Sequence, residues 1–153
     1  MPTSDAPLVL FVSLPHRGEN VEPPRYQTVG SAGADLTAAI NAPQRIPHGM
    51  TVVVPTGLIL EIPHGYEGQI RSRSGLALKD GIIVLNAPAT IDSDYRGEIK
   101  VLLINLGPTE VTIEPGQRIA QLVIAPYLRA DFRQITQVSD TGRGTGGFGS
   151  TGR

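Results

Sequence analysis

The chain has 153 residues, with 13 Lys+Arg against 14 Asp+Glu for a formal net charge of −1, and no cysteine. That length makes one ordinary domain with a sizeable core. The charge balance excludes a sequence-independent nucleic-acid binder, and the missing cysteine excludes a disulfide framework, a thiol nucleophile and a cysteine zinc site. In chain order, the apolar runs Leu8–Leu14, Thr51–Val54, Gly57–Ile62, Glu67–Arg71, Gly81–Leu85, Gly97–Leu106, Glu110–Ile113 and Arg118–Pro126 read as strands, each bounded by turn signals. Ile99, Val101 and Leu103 alternate along one face of the Gly97–Leu106 run, while Leu102 and Ile104 fill the other, which predicts burial on both sides. No window holds a clean helical period, and Ser74–Leu78 is expected to make a single helical turn capped by Ser74. Pro47-His48-Gly49 and Pro63-His64-Gly65 read as two similar hairpin turns. Many short strands with turns about every 8–12 residues predict an all-β jelly roll, sandwich or barrel.

Gly (18) and Pro (13) make the chain turn-rich, but 40% of residues are hydrophobic, so only one segment has the composition of a mobile tail. Residues 139–153, SDTGRGTGGFGSTGR, hold six glycines and one large apolar group, Phe148. One domain over 1–138 followed by a mobile C-terminal segment over 139–153 is the expected organisation, and composition alone favours a disordered tail. No apolar run approaches the roughly 18 residues of a membrane span, and residues 1–14 lack the basic start and cleavage site of a secretory leader. A soluble, cytoplasmic protein that binds neither membrane nor nucleic acid is expected.

Four places carry candidate chemistry. Arg71-Ser72-Arg73-Ser74-Gly75 lies where a strand runs into the helical turn; two arginine forks beside freed backbone amides suit an anion, and an ordinary capped turn with exposed arginines is the alternative. Asn86 to Gly97, NAPATIDSDYRG, is a hairpin-like excursion in which Asp92 and Tyr95, three apart, line one pocket. Asp92 follows Ile91, which predicts partial burial and suits a general base; a turn aspartate holding backbone amides is the bland reading. Asp35 stands at the start of a strand and suits a divalent cation directly or through water. In the tail, Gly144-x-Gly146-x-x-Gly149 is not a dinucleotide fingerprint, because no strand–helix unit surrounds it. Its amides, with Arg143, Ser150, Thr151 and Arg153, nonetheless suit a polyphosphate, and Phe148 a base face. His16, His48 and His64 are scattered and receive no catalytic role.

Taken together, GSAGADLTA (30–38), RSRSGLALKDGI (71–82), LNAPATIDSDYRGEIKV (85–101), PGQRIAQLV (115–123) and RGTGGFGSTGR (143–153) resemble the five ordered motifs of the homotrimeric deoxyuridine triphosphatases. The resemblance spans residues 30–153 in order and spacing; residues 1–29 fit only as a first strand and a loop. It implies a dUTPase-like all-β jelly roll or distorted barrel with a flexible Gly-rich C-terminal arm, assembled as a homotrimer with shared active sites. It implies Mg²⁺-dependent hydrolysis of dUTP to dUMP and pyrophosphate, which limits uracil incorporation into DNA and supplies dUMP for dTTP synthesis.

By the same resemblance, Asp92 is the catalytic base that activates water for attack on the α-phosphorus. Asn86 pairs with the uracil edge, and Tyr95 packs on the deoxyribose and excludes a 2′-hydroxyl. Arg73, Ser74, Gly75 and Gln121 hold phosphates, and Asp35 holds the metal through water. Arg143, Phe148, Gly149, Ser150 and Thr151 close the tail over base and γ-phosphate. Two departures stand out: Ser72 where such proteins commonly have proline, and Ala89 where they commonly have glycine, which costs strain if that position needs a positive φ. A dCTP deaminase sharing the fold, and a non-enzymatic nucleotide-binding trimer, are the rival readings; Asp92 with Tyr95 and the Phe148 tail favours the triphosphatase.

Overall fold

A computed structural model describes residues 6–14 and 21–149. The elements are β1 (Leu10–Ser13), β2 (Ala34–Thr37), β3 (Gln44–Ile46), β4 (Thr51–Glu61), β5 (Tyr66–Arg71), α1 (Ser74–Asp80), β6 (Ile82–Val84), β7 (Ala89–Ile91), β8 (Glu98–Asn105), β9 (Val111–Ile113) and β10 (Arg118–Pro126). They form two four-stranded sheets, ordered β1-β4-β8-β6 and β2-β10-β5-β7, and a two-stranded sheet β3-β9. Every named pairing is antiparallel. The architecture is of the jelly-roll type that the family resemblance implies, one of the three all-β classes that the strand spacing left open.

The period of two that marks strands in the sequence also builds the core. Ile99, Val101 and Leu103 on one face of β8 are no more than 1% exposed and meet Val54, Leu58 and Ile70 in one hydrophobic cluster. The opposite face of β8 is less enclosed than expected: Leu102 and Ile104 are only half-buried. The fully buried Asn105 ends this strand. Its Nδ2 donates to the Ile46 and Thr109 carbonyls, both at 2.8 Å, and its Oδ1 accepts the Gly107 N–H at 2.8 Å. A buried amide is tolerated there because its donors and acceptor are matched.

Several elements differ from the sequence expectation. Thr51–Val54 and Gly57–Ile62 are one strand, β4, whose register against β8 shifts between Pro55 and Ile59. The interruption is a bulge, so the proline and glycine bend the strand without ending it. The two Pro-His-Gly segments do form matching turns, with Met50 N–H donating to Pro47 O and Tyr66 N–H to Pro63 O, each at 3.1 Å. Gly49 and Gly65 take the left-handed conformation (φ 75° and 90°) that such a turn needs. They join β3 to β4 and β4 to β5, which are not sheet neighbours, so they are corners between sheets and not hairpins. The helix runs two turns, Ser74–Asp80, because Leu76, Ala77, Leu78 and Lys79 all favour helix and the left-handed Gly81 stops it. Its N-cap is Arg73, in extended conformation with no side-chain cap bond, and not Ser74. No described helix is long and apolar enough to cross a membrane.

Candidate active site

The excursion between β6 and β8 carries the carboxylate and the tyrosine. β7 occupies its middle and pairs with β5 in the register Gly68↔Ile91, Gln69↔Thr90 and Ile70↔Ala89. Pairing stops at Ile91, and a turn follows in which Tyr95 N–H donates to the Asp92 carbonyl at 3.1 Å. Asp92 and Tyr95 thereby line one cavity of about 190 Å³, together with Thr90, Ile91 and Glu98. The Tyr95 hydroxyl donates to the Glu98 carbonyl at 3.2 Å. A Cβ on Gly97 would lie 2.2 Å from that hydroxyl oxygen and 2.4 Å from the ring Cζ, so the ring rests on bare backbone. Glu98 in turn accepts the Gly57 N–H on its Oε1 at 3.1 Å, which anchors the base of the excursion to the bulge of β4.

Asp92 is exposed, not partly buried as its neighbour Ile91 suggested. It lies one residue beyond the last β7 pair, where no strand continues over it. Asn86 is also exposed, at the head of the excursion and just before the cis Ala87–Pro88 peptide. Ala89 belongs to β7, and among the described residues Phe148 is the one non-glycine with positive φ. The alanine therefore carries no left-handed strain.

A second group forms where β2, β10 and the β5–α1 connection meet. Arg73 Nε donates to Asp35 Oδ1 and Arg118 Nη1 to Asp35 Oδ2, both at 3.0 Å. Arg73 Nη1 also donates to the Arg118 carbonyl at 3.0 Å. The carboxylate is 10% exposed and the Arg73 side chain 24%, so the clamp is partly desolvated. Two guanidinium groups on one carboxylate leave a net positive charge, which suits an incoming polyanion. Asp35 thus meets Arg73, the expected phosphate ligand, directly. Gln121, paired with Asp35 in the β2–β10 register, donates from Nε2 to the Ser72 carbonyl at 2.8 Å and so props the turn holding Arg73, Ser74 and Gly75.

Three participants were not among the expected site residues. Arg118 reaches Asp35 only through the β2–β10 pairing, which no local pattern reveals. Glu98 and Ser72 act through contacts at sequence separations of 41 and 12 residues. A run such as Arg-Gly-Glu or Arg-Ser-Arg carries no sign of either.

The tail is apart from both groups. Arg143 Nε donates to Gly146 O at 2.8 Å within a local loop, and Phe148 is fully exposed with φ 49°. Gly149 is exposed beside it. Arg143, Phe148 and Gly149 are therefore not brought to Asp92 within one chain, and Ser150 and Thr151 lie outside the described residues. Among the described residues no three His, Asp or Glu side chains gather as a metal cage.

The chain is thus a β jelly roll with an exposed excursion that sets a carboxylate beside a pinned tyrosine and, as a separate group, an arginine-clamped turn that suits a polyanion. The dUTPase family model matches residues 19–152, and the chain belongs to that family. It is 58% identical over 137 residues to a deoxyuridine 5'-triphosphate nucleotidohydrolase of Rhizobium etli, covering 88% of each chain. It is 55% identical over 152 residues to the enzyme of the same name from Brucella melitensis, covering 98% of this chain and 96% of the other. Among solved structures, the Staphylococcus bacteriophage 80alpha dUTPase with dUpNHpp superposes with a TM-score of 0.84 at 25% identity, over 95% of this chain and 99% of that one. A mutant dUTPase from phage phi11 of S. aureus, described with a coordinated structural Mg(II) ion, shares the fold at a TM-score of 0.75 and 22% identity, over 85% of this chain and 97% of that one.

Proposed function

We propose that the chain hydrolyses dUTP to dUMP and pyrophosphate in the cytoplasm, limiting uracil incorporation into DNA and supplying dUMP for dTTP synthesis. The observation that carries this reading, beside the family, is the single cavity shared by Asp92 and Tyr95. Asp92 takes a proton from water as the water oxygen bonds to the α-phosphorus, and the bond from that phosphorus to the α–β bridging oxygen breaks. Pyrophosphate leaves with the bonding pair. Tyr95, held against Gly97, presents its ring to the deoxyribose and fills the space of a 2′-hydroxyl. Asn86 reads the uracil edge. Arg73, Ser74 and Gly75 hold phosphates, and Gln121 supports them by bracing Ser72.

Mg²⁺ suits this site only in one form. A lone Asp35 whose two oxygens already accept from arginines fits an ion that keeps its waters and rides on substrate phosphates. When bound it would neutralise triphosphate charge. Asp35 would hold its waters, and the flanking Arg73 and Arg118 would orient that carboxylate.

The site is completed by other copies of the chain in a homotrimer. Residues 127–149 contain no strand or helix, and Leu128, Phe132, Ile135 and Val138 along them are between 65% and 100% exposed. Such an arm has apolar surface that its own body does not cover, which favours a neighbouring subunit as its seat. The arm's end, the lid 139–153, brings Arg143, Phe148, Gly149, Ser150 and Thr151 over base and γ-phosphate. Pyrophosphate release measured across the common dNTPs and UTP tests the reading: release from dUTP alone is expected. Ammonia release from dCTP, or no turnover of dUTP, would overturn it.

A further inference from the structure

Strand β8 starts just beyond Tyr95 and Gly97, and its first residues are not held to β4 by the ladder alone. The register pairs Lys100 with Pro55 and Glu98 with Ile59, so Thr56, Gly57 and Leu58 face Ile99 alone. Such a bulge leaves backbone groups without ladder partners, and side chains supply two of the missing bonds. Thr56 Oγ1 donates to the Ile99 carbonyl at 2.7 Å, in a buried setting. The Gly57 N–H donates to Glu98 Oε1 at 3.1 Å. The Glu98 side chain is only 8% exposed, and its Oε2 lies 4.0 Å from Lys100 Nζ. Gly57 is a firm anchor. Its carbonyl accepts the Leu14 N–H at 2.7 Å, and the nearby Pro55 carbonyl accepts the Ala39 N–H at 2.8 Å. Gly57 has φ 70°, and a Cβ there would lie 2.6 Å from Val21 Cγ2 and 3.2 Å from Ala39 Cβ, so its neighbours close tightly on it. From this anchor the carboxylate holds the Glu98 backbone, whose own carbonyl accepts the Tyr95 hydroxyl at 3.2 Å. Asp92, Tyr95 and Glu98 line one and the same cavity.

We propose that Glu98 is a positioning residue that sets the preference for deoxyribose over ribose: its carboxylate, clamped on the Gly57 N–H, holds the carbonyl that seats Tyr95, and so keeps the ring where a 2′-hydroxyl would stand. The inference rests on the dUTP reading above. Glu98 acts through the tyrosine. Tyr95 is 44% exposed, so its outer side faces solvent and does not hold it in place. The bare backbone of Gly97 lies against the ring and blocks inward movement, while the bond to the Glu98 carbonyl restrains the ring from swinging outward. A pocket that is merely apolar rejects an added hydroxyl weakly, so discrimination requires a ring that does not yield. Without the carboxylate, the Gly57 N–H loses its acceptor and the start of β8 is released from the bulge. The carbonyl then drifts with it, and the ring can retreat toward solvent and admit the hydroxyl.

The test compares the full-length parent with Glu98→Ala, Glu98→Gln and Glu98→Asp by pyrophosphate release from dUTP and from UTP, with amide exchange at Gly57 and the thermal midpoint measured on the same samples. Glu98→Ala is expected to speed exchange at Gly57 and to narrow the dUTP-to-UTP ratio of kcat/KM by about 10-fold, less than the roughly 10²-fold of a full 1 Å misplacement. Glu98→Gln keeps an acceptor oxygen at the same reach and gives up only the charge facing Lys100; it is expected to keep the parental ratio and Gly57 protection. Glu98→Asp keeps the charge but is one methylene shorter, and it is expected to follow Glu98→Ala, which preserves the test if the alanine chain does not fold. A merely structural role would lower the midpoint and depress both nucleotides alike, leaving the ratio unchanged. That uniform loss, or a Glu98→Gln that narrows the ratio as far as Glu98→Ala, would overturn this inference alone. A parent inactive on dUTP would overturn the functional reading and this inference with it.

Discussion

Adding a single methyl group at Gly97 tests whether the seat of Tyr95 matters to catalysis. A Cβ there would lie 2.2 Å from the Tyr95 hydroxyl oxygen, 2.4 Å from Cζ and 2.8 Å from Cε2. Ordinary contact begins near 3.4 Å, so the ring must withdraw by about 1.2 Å, the difference between 3.4 and 2.2 Å. Tyr95 is 44% exposed, and its route outward is open to solvent. The fold therefore loses little more than the hydroxyl's bond to the Glu98 carbonyl, about 0.5–1.5 kcal/mol. The cost to turnover is larger, because a misplacement of about 1 Å in a positioning group can cost 10²-fold, roughly 2.7 kcal/mol of barrier. Steady-state pyrophosphate release from dUTP and UTP, with a thermal melt on the same preparation, separates the two effects. Gly97→Ala is expected to drop kcat/KM for dUTP by about 10²-fold, to narrow the preference over UTP, and to melt within a few degrees of the parent, about 2–4 °C per kcal/mol at this size. Tyr95→Phe, which keeps the ring and removes the hydroxyl, should lose less than about 10-fold. If Gly97→Ala kept both parental kcat/KM and parental discrimination against UTP, the role given to the ring's position would be refuted.

Asp92→Asn should preserve binding of a non-hydrolysable dUTP analogue and lower turnover by about 10²–10⁴-fold; the reverse outcome, a harmless Asp92→Asn and a damaging Asp94→Asn, would move the base to the other carboxylate. Asn105→Ala removes three hydrogen bonds, two of them buried and one part-buried, from the Ile46 and Thr109 carbonyls and the Gly107 N–H. It should cost about 3 kcal/mol or more, seen as a fall of at least about 6 °C in thermal midpoint; a midpoint within a degree of the parent would show that the site relaxes or admits water. Deleting residues 140–153 should reduce turnover more than affinity for the analogue, since closing the lid orders many glycines against the gain from Phe148 stacking. Mixing that truncated chain with Asp92→Asn protein, under demonstrated subunit exchange, should restore part of the activity; no recovery would mean that arm and base are not shared between chains.

What the sequence made legible was local in origin. Period-two alternation located β8 within a residue at each end, an apolar run bounded by turn signals located β10, and the Pro-His-Gly triplets located their turns. β3 escaped because three residues with one buried side chain, Ile46, leave no periodic trace. The merging of two runs into β4 escaped because proline and glycine signal a break whether the strand ends or only bulges. The direction of the corners escaped because a turn's residues fix its conformation but not which sheet receives the next strand. The site follows the same division. Asp92 with Tyr95, and Arg73 with its neighbours, are each contiguous in sequence and were visible as such. The contacts that hold each group in place, Arg118 to Asp35, Glu98 to Gly57 and Ser72 to Val84, are tertiary hydrogen bonds whose partners are set by strand order.

The exposure of Asp92 and the exposure of the arm have a common cause. Water around a carboxylate competes for the proton-accepting oxygen and screens the charges that a closed site would concentrate. Asp92, the proposed base, therefore stands at the rim of a single chain with the right chemistry in the wrong solvent. The arm has the complementary defect: Phe148 and the apolar residues from Leu128 to Val138 have contact surface but nothing beneath them. Neither defect can be repaired from within one chain by small movements, because the arm's hydrogen bonds from Arg143, Gly144 and Gly146 close only local turns. Bringing the arm and Asp92 together across copies would remove both at once, excluding bulk water around Asp92 and its attacking water while burying the arm's apolar surface. On this reading the stability of the assembly and the rate of the chemical step draw on the same contacts. A substitution that weakens the arm's seat, far from any phosphate, should then slow hydrolysis in proportion to the fraction of sites left open.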